Sequence, residues 1–314
     1  MLRYIMIRIL DPMNLDLIYA YYMKKTLSKM TFVLLSQPEF KAIVNQGLIA
    51  VDQEKHRING FILSHIKDGK SYITMLYGES IEVKQALLKF YDSMMIKESI
   101  KESWIHFFNP ISLAWYPLQD IVHPCYQGVP LSGSDYDLYL KNGYHSHSIQ
   151  DTYYLDLNDF EMKLEVIEQI EKNKLDGIEI ALYDSKKHTK IEEFADEIKA
   201  SHWKDVILEN LRLPNPFPLL VALKNNQVIG FTGPLRVEES KRGFFAGIGV
   251  LDTERGKKIG KTLFFSLCQT LKAMGSSYMT LYTGRDNPAK YIYLSAGFKV
   301  VQSFSTMKKT YELF

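Results

Sequence analysis

Between Val250 and Lys261 the chain reads Val-Leu-Asp-Thr-Glu-Arg-Gly-Lys-Lys-Ile-Gly-Lys. A hydrophobic strand runs into a turn at Asp252–Glu254, and a helix then opens with two glycines and four cations. Such a start is chemistry for an anion. The first helical turn leaves backbone N–H groups without intrahelical partners, and the helix dipole adds about half a positive charge there. Gly256 and Gly260 carry no side chain to keep a phosphate from the backbone. Arg255, Lys257, Lys258 and Lys261 add full charges, each readable either as a ligand or as a solvated cation of the helix start. The spacing excludes two common nucleotide sites. A P-loop needs Gly-x-x-x-x-Gly-Lys-Ser/Thr, and Gly256 to Gly260 is one residue short. The dinucleotide pattern Gly-x-Gly-x-x-Gly is not found here.

A second segment reads Asp286-Asn287-Pro288-Ala289-Lys290-Tyr291-Ile292-Tyr293-Leu294-Ser295-Ala296-Gly297-Phe298. Together the two segments resemble the GCN5-related N-acetyltransferases. The first is similar to that family's pyrophosphate loop, Arg/Gln-x-x-Gly-x-Gly/Ala, with Arg255 and Ile259-Gly260 in place. Lys258 stands where the first glycine is expected, and a lysine fits there if its φ is helical. The second is similar to the C-terminal signature, with Ala289, Tyr293, Gly297 and Phe298 in register and Asn287 one residue nearer Tyr293 than usual.

The resemblance implies acetyl-coenzyme A as donor and no metal. Ile248, Gly249 and Val250 then face the pantetheine and thioester, with the Val250 N–H polarising the acetyl carbonyl. The N–H groups from Arg255 through Gly256, Lys257, Lys258, Ile259 and Gly260 to Lys261 take the pyrophosphate. Tyr293 serves the departing sulfur as hydrogen-bond or proton donor, or is a core aromatic. Asn287 bonds the pantetheine arm or caps its helix. The general base stays open. The strand Phe244–Val250 carries no carboxylate where many members have a glutamate, leaving Glu238, Glu239, His202 or water. Arg285 touches ligand or pairs with Asp286 or Glu312.

The elements that must position these residues follow from periodicity. Strands are expected at Gly177–Tyr183, Leu219–Lys224, Gln227–Val237, Phe244–Leu251 and Tyr278–Thr283, with Asn225-Asn226 as a hairpin turn. Helices are expected at Lys190–Ala200, Trp203–Leu211, Lys258–Met274 (capped by Gly275) and Pro288–Ser295, and a terminal hairpin over Phe298–Glu312. This is the acetyltransferase order, reaching back to about residue 176.

The N-terminal half echoes the plan. Tyr139-Leu140-Lys141-Asn142-Gly143-Tyr144 parallels Tyr293–Phe298, each followed by a strand pair, and Ile58–Phe61 parallels Val228–Phe231. Between a strand at Tyr72–Tyr77 and a helix at Val83–Met95 stands Gly78-Glu79-Ser80-Ile81-Glu82, whose glutamates repel a pyrophosphate. The fold class is therefore mixed α/β: two tandem acetyltransferase-like domains, a degenerate one at 1–158 and a catalytic one at 159–314, joined near Asp156–Glu165. The aromatic, Pro- and Gly-rich stretch Asn109–Ser134 either lines a substrate cleft or is an ordered surface loop.

Composition agrees with this. The chain has 314 residues, 46% hydrophobic and 24% charged, long enough for two domains. A net charge of +2 with scattered basic residues gives no reason to expect nucleic acid. Cys125 and Cys268 form no metal or redox motif and point to a reducing compartment. Residues 1–10 read as a first strand rather than a signal peptide, and no apolar run reaches the ~18 residues of a membrane span. The expectation is a cytoplasmic N-acetyltransferase, monomer or homodimer, with a small primary amine as acceptor. The alternatives are an acyl-coenzyme A-binding regulator without turnover, and aminoacyl transfer in the manner of the tandem peptidoglycan-bridge enzymes, against which the intact Arg255–Gly260 segment counts.

Overall fold

The computed structural model describes residues 7–9, 15–29, 31–198 and 201–312. Most of the expected first strand, residues 1–6 and 10, lies outside them. The chain divides into two compact units, Met1–Thr152 with Val301–Phe314, and Tyr153–Val300.

In the first unit, β1 (Ile7–Ile9), α1 (Leu15–Lys29) and α2 (Gln37–Asn45) precede a meander of β2 (Leu48–Glu54), β3 (Arg57–Lys67) and β4 (Lys70–Gly78). Helix α2 starts on a capping box, Ser36 with Glu39. Next come α3 (Ile81–Lys97), β5 (Glu102–Ile105), the small hairpin β6 (Trp115–Leu118) and β7 (Ile121–His123), β8 (Val129–Pro130), α4 (Ser134–Lys141) and β9 (His145–Asp156). Side chains of β3 alternate between two cores. Phe61 and Leu63 pack with Ile18, Tyr22 and Phe40 of α1 and α2. Ile62 packs with Leu87, Leu88 and Tyr91 of α3.

The second unit repeats this arrangement. It runs α5 (Leu164–Leu175), β10 (Ile178–Leu182), α6 (Ile191–Glu197), α7 (Ser201–Leu211), β11 (Leu220–Lys224), β12 (Gln227–Thr232), β13 (Ile248–Val250), α8 (Ile259–Ala273), β14 (Tyr278–Gly284) and α9 (Lys290–Ser295), and ends where β15 (Lys299–Thr310) begins. Strands β10 to β13 form an antiparallel sheet in chain order. Val221 and Leu223 of β11 meet Phe194 and Ile207 of α6 and α7, whereas Leu220 and Ala222 meet Leu263 and Leu267 of α8. The β11–β12 turn uses Asn225 and Asn226 at φ 52° and 62°, the twist a two-residue hairpin needs.

Four expectations are corrected. The hairpin over Phe298–Glu312 is one long strand, β15, as is β9 where a strand pair was expected. Within the first unit β15 pairs with β5 and β8, so an uninterrupted strand satisfies more backbone than a hairpin would. Strand Gln227–Val237 stops at Thr232, because Pro234 has no N–H to continue a ladder. Strand Phe244–Leu251 shrinks to Ile248–Val250, since the Gly247 carbonyl accepts from the Thr232 hydroxyl at 3.0 Å instead of joining the ladder. Helix α5 was not foreseen. Val166 is buried and Ile170 packs against the core, while Gly177 at φ 73° ends the helix.

The glycines around β13 are there for packing. A methyl on Gly247 would overlap the Trp203 indole of α7, and one on Gly249 would overlap Ile198 Cδ1. Gly247→Ala is expected to destabilise by about 1–3 kcal/mol. The Trp203→Ala background should remove most of that penalty in a denaturant-unfolding double-mutant cycle. Additive penalties would show that the indole does not sit on this glycine.

Candidate active site

Parting strands make the site in the second unit. Arg242 bridges Tyr278 in parallel, and the Gly243 N–H donates to the Tyr278 carbonyl at 2.8 Å. Arg242 is buried and clamps this point, bonding the Thr280 hydroxyl at 2.8 Å and carbonyl at 3.0 Å and pairing with Glu238 at 2.7 Å. Beyond it the first strand turns to β12, with Val250 opposite Gly230. The Leu251 N–H donates to Ile229. By antiparallel alternation the Val250 and Ile248 N–H groups therefore face away from β12.

The glycine loop follows directly. Thr262 N–H to Lys258 O, 3.1 Å, is the first bond of α8, so the Ile259, Gly260 and Lys261 N–H groups lie ahead of the helical ladder. Gly256 has φ 85° with open space where a Cβ would stand, so nothing obstructs a ligand there. Gly260 lies in the first turn, where a Cβ would be 3.7 Å from Ile292 and 3.9 Å from Val250. These features fit a pyrophosphate.

Lys258 corrects an expectation. It caps α8 at φ 58°, ψ 19°, left-handed rather than right-handed helical, a conformation that favours glycine. Lys258→Gly is expected to raise stability by up to about 1 kcal/mol in thermal unfolding, with acetyl-coenzyme A affinity equal or better. Lower stability would place the strain elsewhere.

The other cations rest on carboxylates: Arg255 on Asp252 at 2.6 Å, Lys261 on Glu165 at 2.7 Å, and Lys257 with Lys224 (3.0 Å) on Glu254. Hydrogen bonding to Lys257 holds the Glu254 carboxyl below its usual range, and that to Lys261 does the same for Glu165. The Arg255–Asp252 pair is exposed, contributes little stability and can yield to a phosphate, whereas Glu254 is partly buried beneath its two lysines.

Tyr293 of α9 is buried, its ring 4.9 Å from Phe264, 5.9 Å from Tyr153 and 6.1 Å from Phe245. Burial, with a smaller contribution from Tyr153, pushes its phenol up to about 12. It therefore carries its proton at any working pH. Asn287 is engaged within its own turn. Its Nδ2 donates to the Thr283 hydroxyl at 2.9 Å and its Oδ1 accepts from the Ala289 N–H at 3.0 Å, an Asx turn just ahead of α9. Of the base candidates, Glu238 is tied to Arg242, Glu239 is exposed, and the His202 side chain lies outside the described residues. Sequence reasoning did not find the Arg242 clamp or the Trp203 indole on Gly247. The glycines at 247 and 249, where a carboxylate was sought, were the available signal for the latter.

Among the described residues no His, Cys, Asp and Glu groups are placed to hold a metal ion, and no helix is long and apolar enough to cross a membrane. Stretch 109–134 contributes Asn109, Ile111, Leu113, Tyr126 and Val129 to a cavity of about 340 Å³ in the first unit.

Comparison with known proteins agrees with this geometry. The sequence model of the Acetyltransferase (GNAT) family matches residues 181–298. No curated protein matches the chain in sequence. Among solved structures, the chain is similar to a GCN5-related glucosamine N-acetyltransferase region of a fungal multi-domain GH3 β-N-acetylglucosaminidase (TM-score 0.68, 15% identity), covering 98% of this chain but only 38% of that one. It is also similar to a GCN5-related N-acetyltransferase from Sphaerobacter thermophilus, with TM-score 0.61, 11% identity and coverage of 97% of this chain and 95% of that one. A tandem GNAT protein from the clavulanic acid biosynthesis pathway gives TM-score 0.58 at 10% identity, with 98% of each chain covered. At these identities the likeness is one of fold. The family model thus matches residues 181–298, within the second unit, and the solved structures share the fold along the length of the chain.

Proposed function

We propose that the protein transfers the acetyl group of acetyl-coenzyme A to the primary amine of a small molecule, by direct attack in the second unit. The observation that carries this reading is the convergence of three features: a strand gap faced by the Val250 N–H, a helix start with free N–H groups at Ile259–Lys261, and a buried phenol at Tyr293. Acetyl-coenzyme A supplies the acyl thioester. The Gly256–Lys261 backbone binds its pyrophosphate, aided by the helix dipole. The Val250 N–H stabilises the negative charge that develops on the carbonyl oxygen. As the amine forms the new C–N bond and the C–S bond breaks, the Tyr293 hydroxyl gives its proton to the leaving sulfur and is reprotonated from solvent. The amine's surplus proton goes to water or to a nearby carboxylate.

The first unit, whose glutamates flank the corresponding helix start, is a degenerate copy in this reading. A cytoplasmic location and a monomer or homodimer belong to the same proposal. One observation favours a second reading, acyl-coenzyme A binding without turnover: Gly247 and Gly249 are covered by Trp203 and Ile198, leaving no carboxylate on the strand. Amine-dependent thiol release decides between them. Release with at least one small amine, at one acetyl-coenzyme A bound per chain, supports transfer. Binding without release across a broad amine panel supports the second reading, and no binding removes both.

A further inference from the structure

The first unit has parting strands of its own. Its β4 and β5 pair in parallel only at Ser71↔Ser103 and Tyr72↔Trp104, then separate. The cavity of about 340 Å³ opens where they part, between Ile73–Tyr77 and Ile105–Asn109. This is at the lower end of the ~300–1,000 Å³ range of small-molecule sites. Its walls are largely apolar, with Ile73, Met75, Ile105, Leu113 and Val129 among them.

The mouth is charged. Lys25, Lys29 and Asp135 line it, and Lys84 pairs with Asp135 at 2.5 Å while Lys25 pairs with Glu79 at 2.9 Å. Among the lining residues two ammonium groups thus face one carboxylate, which leaves one positive charge. Desolvation, then the Lys84 ammonium, lower the Lys29 pKa against an opposing pull from Asp135, and Lys25 adds a smaller lowering. An anion seated at Lys29 would relieve that strain. His106 adds a neutral donor. Its Nδ1 accepts from the Phe108 N–H at 3.0 Å, which puts the ring proton on Nε2, and burial, then His147 and Lys70, brings its pKa down to about 4. A coenzyme pyrophosphate is disfavoured. The adjoining start of α3 is capped by Ser80 on the Val83 N–H at 3.4 Å and carries Glu82 in its first turn.

We propose that this cavity is a second ligand site, for a small monocarboxylate whose apolar body fills the gap between β4 and β5 and whose carboxylate pairs with Lys29. An amine would meet a lining with one more ammonium than carboxylate, and a neutral molecule would form no ion pair with Lys29.

Calorimetric titration of the full chain with octanoate, octanamide and octylamine tests this. One octanoate site is expected, with octanamide at least tenfold weaker and octylamine weaker still. Lys29→Met should weaken octanoate at least tenfold and Lys29→Arg should restore it. Ile111→Trp, which fills the cavity, should abolish binding at an unchanged melting temperature. Gly260→Glu in the second unit should leave octanoate binding intact, so the outcome is independent of the acetyltransfer proposal. Equal affinity for octanoate and octanamide would overturn the anion assignment. Octanoate binding unaffected by both Lys29→Met and Ile111→Trp, or lost in Gly260→Glu, would place it elsewhere, and no saturable binding would remove the site.

Discussion

Tyr293→Phe is expected to lower kcat by about 10²–10³-fold while leaving the KM for acetyl-coenzyme A within a few-fold. The substitution keeps the ring that packs on Phe264, Phe245 and Tyr153 and removes only the hydroxyl, so unfolding should change little. On the proposed mechanism, what would be lost is a proton at the departing sulfur, an interaction made as the C–S bond breaks. The pH profile is a second check. Burial favours the neutral phenol and moves its titration from 10.0 to about 12, so an alkaline decline at lower pH belongs to another group and should persist in the variant. The same shift means that the folded state holds a proton the unfolded chain has released between those values. Tyr293 therefore favours folding at lower pH, and that contribution fades as pH rises toward 12. An unchanged kcat with the best amine would reduce Tyr293 to a core aromatic.

Gly260→Glu is expected to raise the dissociation constant of acetyl-coenzyme A at least about 100-fold, about 2.7 kcal/mol. The position lies in the first turn of α8, ahead of the first intrahelical bond, where the helix end attracts anions. A carboxylate there competes for the same N–H groups and repels the pyrophosphate. Gly260→Ala separates charge from bulk. Its methyl would be 3.7 Å from Ile292 and 3.9 Å from Val250, ordinary contact distances. Alanine also favours the helix by about 0.5–1 kcal/mol. Affinity should survive in the alanine variant and fail in the glutamate one, with both melting cooperatively. If the glutamate variant binds normally, the phosphate site lies away from this helix.

Much of the second unit was legible because its signals are local. The amphipathic repeat of Leu263, Leu267 and Leu271 marks α8, the Asn225-Asn226 pair marks a hairpin, and Gly275, at φ 91°, marks a helix end. Strand limits were less legible, since ladders end where a partner is lost. Gly247 left its ladder for the Thr232 hydroxyl, a contact across 15 residues that no local pattern announces. Helix α5 was missed because few of its residues are buried, Val166 and Asn173, and two positions make a faint period.

By itself, the sequence determined the glycine-bearing helix start at Gly256–Lys261, the Tyr293 signature and the doubled plan of the chain. Each depends on residue types at short spacing, and short spacing survives translation into structure. Tertiary structure decided the rest. It set Lys258 in a left-handed conformation, joined Arg242 to Thr280 where the strands part, and seated Trp203 on Gly247. It also placed Val301–Phe314 with the first unit, where β15 pairs with β5. The cavity beside Lys29 gathers residues from 25 to 139, and its surplus positive charge exists only once Lys25, Lys29 and Asp135 meet along its lining. Burial and charge balance are sums over distant neighbours, and a one-dimensional pattern does not contain them.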